Sequence, residues 1–188
     1  MVHQDQHGLV HEDHPDVEVS GLSDGQILQY QASSGKWKNA SISSSSPDFP
    51  ACKAYRSTAL SLSNNTWTEI SLNAEEFDTD SMHDNSVNPT RITVPSGKGG
   101  YYLIIGMVSF VANSTGNRAA AIRKNGSAGL ETIYGTPSSG YTCAVKVATV
   151  VSLAAGDYIE LRGWQNSGSS LSLSVGATNT YLILVKQR

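Results

Sequence analysis

The amino-acid sequence predicts an all-β protein folded as a β-sandwich or jelly roll. Residues 50–188 contain about nine short segments rich in apolar, β-branched and aromatic residues, and turns rich in Gly and Ser separate them. No segment shows convincing periodicity of an amphipathic helix. Charged residues make up 15% of the chain, against about 25% in an average domain, while serine takes 27 of the 188 positions. This composition argues against a coiled coil, a long helical bundle and a charge-driven disordered chain.

Charge and hydropathy exclude several function classes. A formal net charge of −3 gives no basic patch for nucleic acid or for an anionic membrane surface. No apolar run reaches the ~18 residues of a membrane span, and the polar opening residues are not those of a signal peptide. The H-E-x-x-H, phosphate-loop and dinucleotide-binding patterns are absent. We therefore predict a protein that is not an enzyme and that uses no cofactor and no metal.

Residues 1–20 are predicted to form an extended arm. Their few apolar residues cannot build a core, so the arm needs a partner to become ordered. His3, His7, His11 and His14 are spaced so that a helix would align them, which raises the possibility of a metal site. Gly8 interrupts such a helix. We therefore favour docking of the arm through hydrogen bonds.

Residues 21–46 are predicted to form a small β-hairpin followed by a serine-rich linker. Two short apolar segments, 27–30 and 36–40, flank a Ser-Ser-Gly turn. An isolated hairpin is marginally stable in water, so Ile27, Tyr30 and Trp37 are expected to pack on another surface. We place the domain boundary in the linker and name residues 47–188 the knob.

The knob is predicted to be a series of strands. Residues 67–72 alternate as in a half-buried strand, and residues 101–112 read as a long central strand. Asn125-Gly126 is the strongest hairpin signal in the chain, and residues 154–157 form a tight turn between two long strands.

Three groups of side chains in the knob could each form a functional site or have a purely structural role. Cys52 and Cys143 are read as two buried thiols rather than a disulfide or a zinc site. Four aromatic residues either line a carbohydrate-binding surface or pack in the core or the trimer interface, and the sequence leaves these possibilities open. The acidic segment is read as a solvated loop rather than a calcium site, because its spacing is not that of an EF-hand. The aromatic residues are Trp67, Tyr134, Tyr141 and Trp164, and the acidic residues are Glu75, Glu76, Asp78, Asp80 and Asp84.

In order and spacing, several motifs of the knob resemble the globular heads of the C1q and tumour-necrosis-factor-like family. The matching segments are 51–56, 67–72 with 76–78, 91–95 with 100–103, the Lys124-Asn125-Gly126 hairpin, 151–161 with its Gly156-Asp157 turn, and 181–185. The resemblance implies a ten-stranded jelly roll that assembles as a tight homotrimer. The candidate core and trimer residues are Tyr101, Leu103, Ile105, Tyr181, Ile183 and Val185.

The front of the chain resembles short modules of bacteriophage tail-fibre and virion-surface proteins. The matching stretches are 8–15, with Asp13-His14-Pro15, and 22–37, with Asp24-Gly25-Gln26 and Gly35-Lys36-Trp37. The residues after Pro15 depart from the commoner form of the first module. The candidate docking residues are Leu9, Val10, His11, His14 and Pro15.

Together these features predict a trimeric bacteriophage structural protein on the virion surface, a fibre, a spike or a capsid-decoration protein. Its arm would dock to capsid or tail proteins, with the hairpin as stalk and the knob exposed. The alternative is a receptor-binding adhesin tip that recognises a glycan or protein of the host surface. A third possibility, a glycan hydrolase, needs two paired carboxylates, and Glu131, Asp157 and Glu160 show no such pairing in the sequence.

Overall fold

The computed structural model describes residues 15–41, 49–127 and 129–187. The chain divides into two compact units, residues 1–48 and 49–188. Within the described residues no helix is long and apolar enough to cross a membrane.

The N-terminal unit contains a three-stranded sheet formed by β1 (Val17–Glu18), β2 (Gln26–Gln31) and β3 (Lys36–Ser41). β2 and β3 form the predicted antiparallel hairpin, in which Tyr30 faces Trp37. β1 pairs in parallel with β3. Residues 17 and 18, which the sequence assigned to the arm, therefore add a strand to the hairpin.

The knob is built almost entirely of antiparallel strands. They are β4 (Ala51–Tyr55), β5 (Ser61–Leu62), β6 (Thr68–Glu69), β7 (Ala74–Asp78), β8 (Arg91–Thr93), β9 (Gly100–Phe110), β10 (Arg118–Lys124), β11 (Gly129–Gly135), β12 (Cys143–Leu153), β13 (Tyr158–Gln165), β14 (Leu171–Ser172) and β15 (Tyr181–Lys186).

Two sheets form the sandwich. One has the order β12-β9-β15-β4-β7, and the other has the order β11-β10-β13-β6 with β8 also paired to β13. Along each long strand alternate side chains point into the core, because successive residues of a strand face opposite sides of the sheet. Tyr102, Ile104 and Leu184 from the first sheet are buried with Ile122 and Leu161 from the second. The other side of each sheet is left to face outward.

Two turns form as their sequences predict. Asn125 and Gly126 both have positive φ, 52° and 68°, which is the geometry of the hairpin turn that Asn-Gly favours. In the 154–157 turn the N–H of Asp157 donates to the carbonyl of Ala154, and Gly156 has a φ of 86°. A side chain is disfavoured at that φ, so glycine suits the position.

Two sequence predictions are corrected by the structure. The predicted strand 67–72 is reduced to β6, because the N–H of Leu72 bonds the carbonyl of Pro89 in a loop and not a neighbouring strand. The predicted acidic loop begins instead as β7, which pairs with β4 at the edge of its sheet. Charged side chains on an edge strand discourage pairing with a further strand, which explains acidic residues in a strand.

Candidate functional site

The outer face of the β12-β9-β15-β4-β7 sheet carries the six residues predicted for the core or trimer contact. In β9 and β15 the residues of opposite parity, such as Tyr102 and Leu184, are in the core. The six residues therefore point outward: Tyr101, Leu103, Ile105, Tyr181, Ile183 and Val185.

Neighbouring strands extend this apolar surface across the sheet. Ile183 lies opposite Ile105 in the ladder, and Val185 lies opposite Leu103. β12 places Val150 opposite Leu103. Tyr101 and Val150 are 62% and 58% exposed. We name this surface the assembly face, formed by Tyr101, Leu103, Ile105, Met107, Ala148, Val150, Tyr181, Ile183 and Val185.

The lysine on the β4 side of the assembly face is neutralised. Lys53 lies opposite Ile183 in the ladder, and its Nζ is 2.5 Å from a carboxylate oxygen of Glu76. The same ammonium lies 5.1 Å from the ring centroid of Tyr181, within the range of a cation–π contact. A surface that approaches this face therefore does not bury an unpaired charge at Lys53.

A groove lies on the outer face of the other sheet. The alternation of β10 places Ala121 on this side, where its small side chain leaves space between taller neighbours. The cavity has a volume of about 270 Å³. We name it the aromatic groove; it is lined by Trp67, Ala121, Arg123, Gly129, Thr132, Tyr134 and Arg162.

The two aromatic rings that line the groove, Trp67 and Tyr134, are joined into a row by the ring of Trp164, which does not line it. The ring centroids of Trp67 and Trp164 are 6.3 Å apart, and those of Trp164 and Tyr134 are 6.2 Å apart with nearly perpendicular planes. The structure thus brings together three of the four aromatic residues considered from the sequence. The fourth, Tyr141, does not line the groove and is 72% exposed.

Two arginines and two glutamates form a charge-balanced network beside the rings. Arg123 Nη2 donates to Glu69 at 2.7 Å, and Arg123 Nε donates to Glu160 at 3.1 Å. Arg162 Nε lies 3.4 Å from the same Glu69 oxygen, and its guanidinium carbon is 5.5 Å from the Trp67 ring centroid. These arginines were not among the residues predicted from the sequence. Each arginine alternates with inward-facing residues of its strand, β10 or β13, and this alternation indicates an outward-facing side chain. Only the pairing of the two strands shows that the arginines share one network.

The acidic side chains of residues 75–84 have protein partners. Asp78 accepts hydrogen bonds from the N–H groups of Met82 and His83, and Glu75 Oε1 lies 2.9 Å from His83 Nδ1. Asp84 accepts from two further backbone N–H groups, which lower its pKa. Among the described residues, no group of three or more His, Cys, Asp or Glu side chains is arranged to hold a metal ion.

Two of the three carboxylates considered for catalysis serve other contacts. Glu160 is engaged by Arg123, and Asp157 by Lys124 and Asn125. Gly21-Leu22-Ser23-Asp24-Gly25 matches the letters of the hydrolase G-x-S-x-G pattern, but it precedes β2 and lacks the strand-to-helix elbow that pattern needs.

The docking and stalk candidates lie in the N-terminal unit. Leu9, Val10, His11 and His14 are outside the described residues, as is the rest of the histidine cluster, and Pro15 is exposed at a turn. Ile27, Tyr30 and Trp37 are all exposed. The rings of Tyr30 and Trp37 pack against each other with centroids 5.5 Å apart.

Both cysteines are free and buried, in agreement with the sequence reading. Burial raises the pKa of the Cys52 thiol, and the nearby carboxylates of Asp78 and Glu75 raise it further. Burial also raises the pKa of Cys143, although the Arg118 guanidinium acts in the opposite direction.

Comparison with solved structures identifies the architecture. The knob has the C1q/TNF-like jelly-roll fold. Murine APRIL superimposes with a TM-score of 0.57 at 17% identity, over 74% of this chain and 100% of that chain. Eiger TNF from S. frugiperda gives 0.55 at 13% identity, over 74% of this chain and 93% of that one. The globular domain of zebrafish complement 1qA protein gives a TM-score of 0.51 at 12% identity, over 72% of this chain and 94% of that one.

No protein-family model and no curated protein matches the chain. The likeness therefore rests on architecture, and it agrees with the fold that the sequence motifs predicted. In this C1q/TNF-like knob the assembly face and the aromatic groove lie on opposite sides of the sandwich, because they are the outer faces of its two sheets.

Proposed function

We propose that this chain is a structural protein of the bacteriophage virion surface whose knob assembles as a homotrimer through the assembly face. The observation that carries the proposal is that face, a continuous apolar surface on three neighbouring strands with large exposed side chains at its edge. Exposed contiguous apolar surface on a folded domain marks a site of protein association.

A second copy of the same chain is the occupant that the face favours. Lys53, beside the face on β4, is already paired with Glu76, so association does not leave that charge buried and alone. Burial of Tyr101 and Val150 removes apolar surface from water, which stabilises the association by about 25 cal/mol per Å² buried. The number three comes from the likeness of the motifs and fold to C1q-like heads.

The virion role rests on the N-terminal modules. In this proposal residues 1–15 dock to capsid or tail proteins, and the three-stranded sheet of residues 17–41 forms the stalk. Three arms held by one trimer bind with an effective concentration that raises apparent affinity by about 10²–10⁴. A weak arm then suffices for attachment at the virion surface.

Solution mass tests the assembly. Light scattering on a sizing column is expected to give three times the chain mass for the full-length protein and for residues 49–188. Ile105→Glu places a carboxylate in the middle of the assembly face and is expected to give a folded monomer. The matched control is Val87→Glu, which adds the same charge at an exposed apolar residue outside the face and should leave the trimer intact. A monomeric full-length protein would overturn the assembly proposal.

Attachment to particles tests the virion role separately. Deletion of residues 1–15 leaves β1 in place. The deleted chain is expected to remain a trimer by solution mass but to lose binding to virions that lack the protein. Normal attachment of the deleted chain would reject docking by the arm without affecting the trimer.

The second candidate function is that of an adhesin. It is favoured by the aromatic groove, because the groove stays open to solvent when copies associate through the opposite sheet.

A further inference from the structure

We propose that the aromatic groove is a binding site for one neutral sugar residue of a glycan. The site lies within a single chain, so sugar binding itself does not depend on the proposed trimer. It gives the adhesin function a defined place on the knob, and only the gain in avidity described below rests on assembly.

The groove presents aromatic surface that the core does not use. Of the two lining rings, Tyr134 is 65% exposed and Trp67 is half-buried. Trp164 does not line the groove, but it packs against both rings. Aromatic rings with one accessible face and a polar edge are typical of binding sites, since they offer contact area at a low cost in conformational entropy. The C–H face of a pyranose ring matches such a surface.

The polar groups beside the rings suit hydroxyl groups. Among the lining residues, Arg123 and Arg162 provide donors, and the exposed Thr132 hydroxyl can both donate and accept. Glu69 and Glu160 do not line the groove; they bind the arginines and fix their orientation. Adjacent donors and acceptors in a fixed arrangement match the alternating hydroxyls of a sugar ring.

The charge balance of the network selects the ligand class. Two guanidinium groups face two carboxylates, and Arg123 is held by both carboxylates at 2.7 and 3.0 Å. An anionic sugar would have to compete with Glu69 and Glu160 for the arginines and would meet their repulsion. A neutral polyhydroxylated ring adds hydrogen bonds without breaking an ion pair.

The size of the groove sets the expected affinity. Its volume of about 270 Å³ lies just below the ~300–1,000 Å³ of pockets for drug-sized ligands, so one sugar ring fits and a longer glycan would extend into solvent. Few contacts are then available, and a dissociation constant in the millimolar range is expected. Three grooves on one trimer would raise the apparent affinity for a dense glycan surface.

Ligand-observed NMR on the full-length chain tests the site. The neutral probes are glucose, galactose, mannose and N-acetylglucosamine, and the charged probes are glucuronic acid and N-acetylneuraminic acid. We expect saturable binding of at least one neutral sugar that is stronger than that of either acid. Tryptophan fluorescence in a Trp37→Phe background provides a second readout, because the remaining tryptophans, Trp67 and Trp164, belong to the aromatic row.

Two tyrosines form a matched pair of variants. Tyr134→Ala removes an exposed ring of the groove and is expected to weaken sugar binding about tenfold or more, as for a central aromatic contact. Tyr141→Ala removes an equally exposed ring outside the groove and should leave binding within about twofold. Equal effects of the two variants, binding by none of the neutral sugars, or preference for the acids would each overturn the proposal.

The variant Ile105→Glu separates this proposal from the trimer. A monomer that binds the monosaccharide as the wild type does supports a groove within one chain. Loss of monosaccharide binding in a folded monomer would overturn it, since the site would then need a second copy.

Discussion

The side chains of Asn125 and Asp157 join the two tight turns that the sequence analysis selected. Asn125 Nδ2 donates to Asp157 Oδ1 at 2.6 Å, and the Asn125 side-chain oxygen accepts from the N–H of Tyr158 at 2.8 Å. Asp157 Oδ2 also accepts from the N–H of Ala154 at 2.7 Å and pairs with Lys124 Nζ at 2.7 Å. Two motifs more than 25 residues apart thus form one hydrogen-bonded unit at an end of the sandwich.

The Asp157→Asn variant is expected to be less stable than the wild type by about 1 kcal/mol at neutral pH. The asparagine amide loses the ion pair with Lys124 and has only one oxygen that can accept hydrogen bonds. The expected loss of stability is modest because the contacts lie near the surface, where solvent screens the ion pair. Urea unfolding followed by circular dichroism measures the difference. Asp24→Asn, at an exposed position in the other unit, is the control and should leave the unfolding of the knob unchanged.

The same carboxylate is expected to contribute to acid sensitivity. Hydrogen bonds from Lys124, Asn125 and the N–H of Ala154 lower the pKa of Asp157 to about 2, from 3.8. A lowered folded-state pKa means that the stabilisation is complete above the unfolded value near 4 and is lost as the pH falls toward 2. The stability difference between wild type and Asp157→Asn should therefore shrink between pH 4 and about pH 2. A difference that stays constant over this window would contradict the assigned role.

Much of the knob was predictable because its turn sequences and its strand composition each favour the local structure that the fold contains. Asn125-Gly126 and the 154–157 turn depend on backbone conformations that few residues adopt, so their sequences indicate the turns directly. The apolar, β-branched and aromatic residues of 101–112 likewise indicate a central strand, although they do not indicate which of its faces points outward. The groove was only partly predictable, because Trp67, Trp164 and Tyr134 come from three separate segments. Their meeting depends on which strands pair and in which register, and no local pattern in one sequence specifies that.

Arg118 is expected to stabilise the 113–117 loop from inside the protein. The side chain is fully buried, burial lowers its pKa, and its guanidinium donates to the carbonyls of Asn113, Thr115 and Asn117. Arg118→Met leaves these carbonyls without their donor and should cost about 2–4 kcal/mol in chemical unfolding. Arg118→Lys keeps the charge but loses the planar fork, so it should fall between the wild type and Arg118→Met. A methionine variant as stable as the wild type would show that the loop does not need the guanidinium.

Cys52 and Cys143 are expected to be unreactive in the folded protein. Only the thiolate is nucleophilic, and burial both raises the pKa of each thiol and blocks the reagent. Iodoacetamide at pH 8, followed by mass spectrometry, should label neither residue in native buffer and both in denaturant. Cys143 should be labelled first as urea is added, because it is slightly exposed and lies near the Arg118 guanidinium, whereas Cys52 is fully buried. Rapid labelling of Cys52 in native buffer would be inconsistent with this packing.

Gly163 in β13 is expected to be needed for the close approach of the two sheets. A Cβ at this position would lie 2.7 Å from Leu62 Cδ2 and 3.2 Å from Val108 Cγ1. Gly163→Ala should therefore cost about 1–3 kcal/mol through overpacking. The control is Gly129→Ala, whose Cβ would meet its nearest neighbour, the Thr132 hydroxyl, at an ordinary 3.5 Å and should change stability by less than about 0.5 kcal/mol.

A double-mutant cycle identifies the cause of the loss at Gly163. Leu62→Val alone shortens a fully buried side chain and should destabilise the knob by leaving a cavity. In the Gly163→Ala background the same change removes the atom that clashes, so the combined loss should be smaller than the sum of the two single losses. Additive losses would mean that the alanine acts through the strand itself and not through its contact with Leu62.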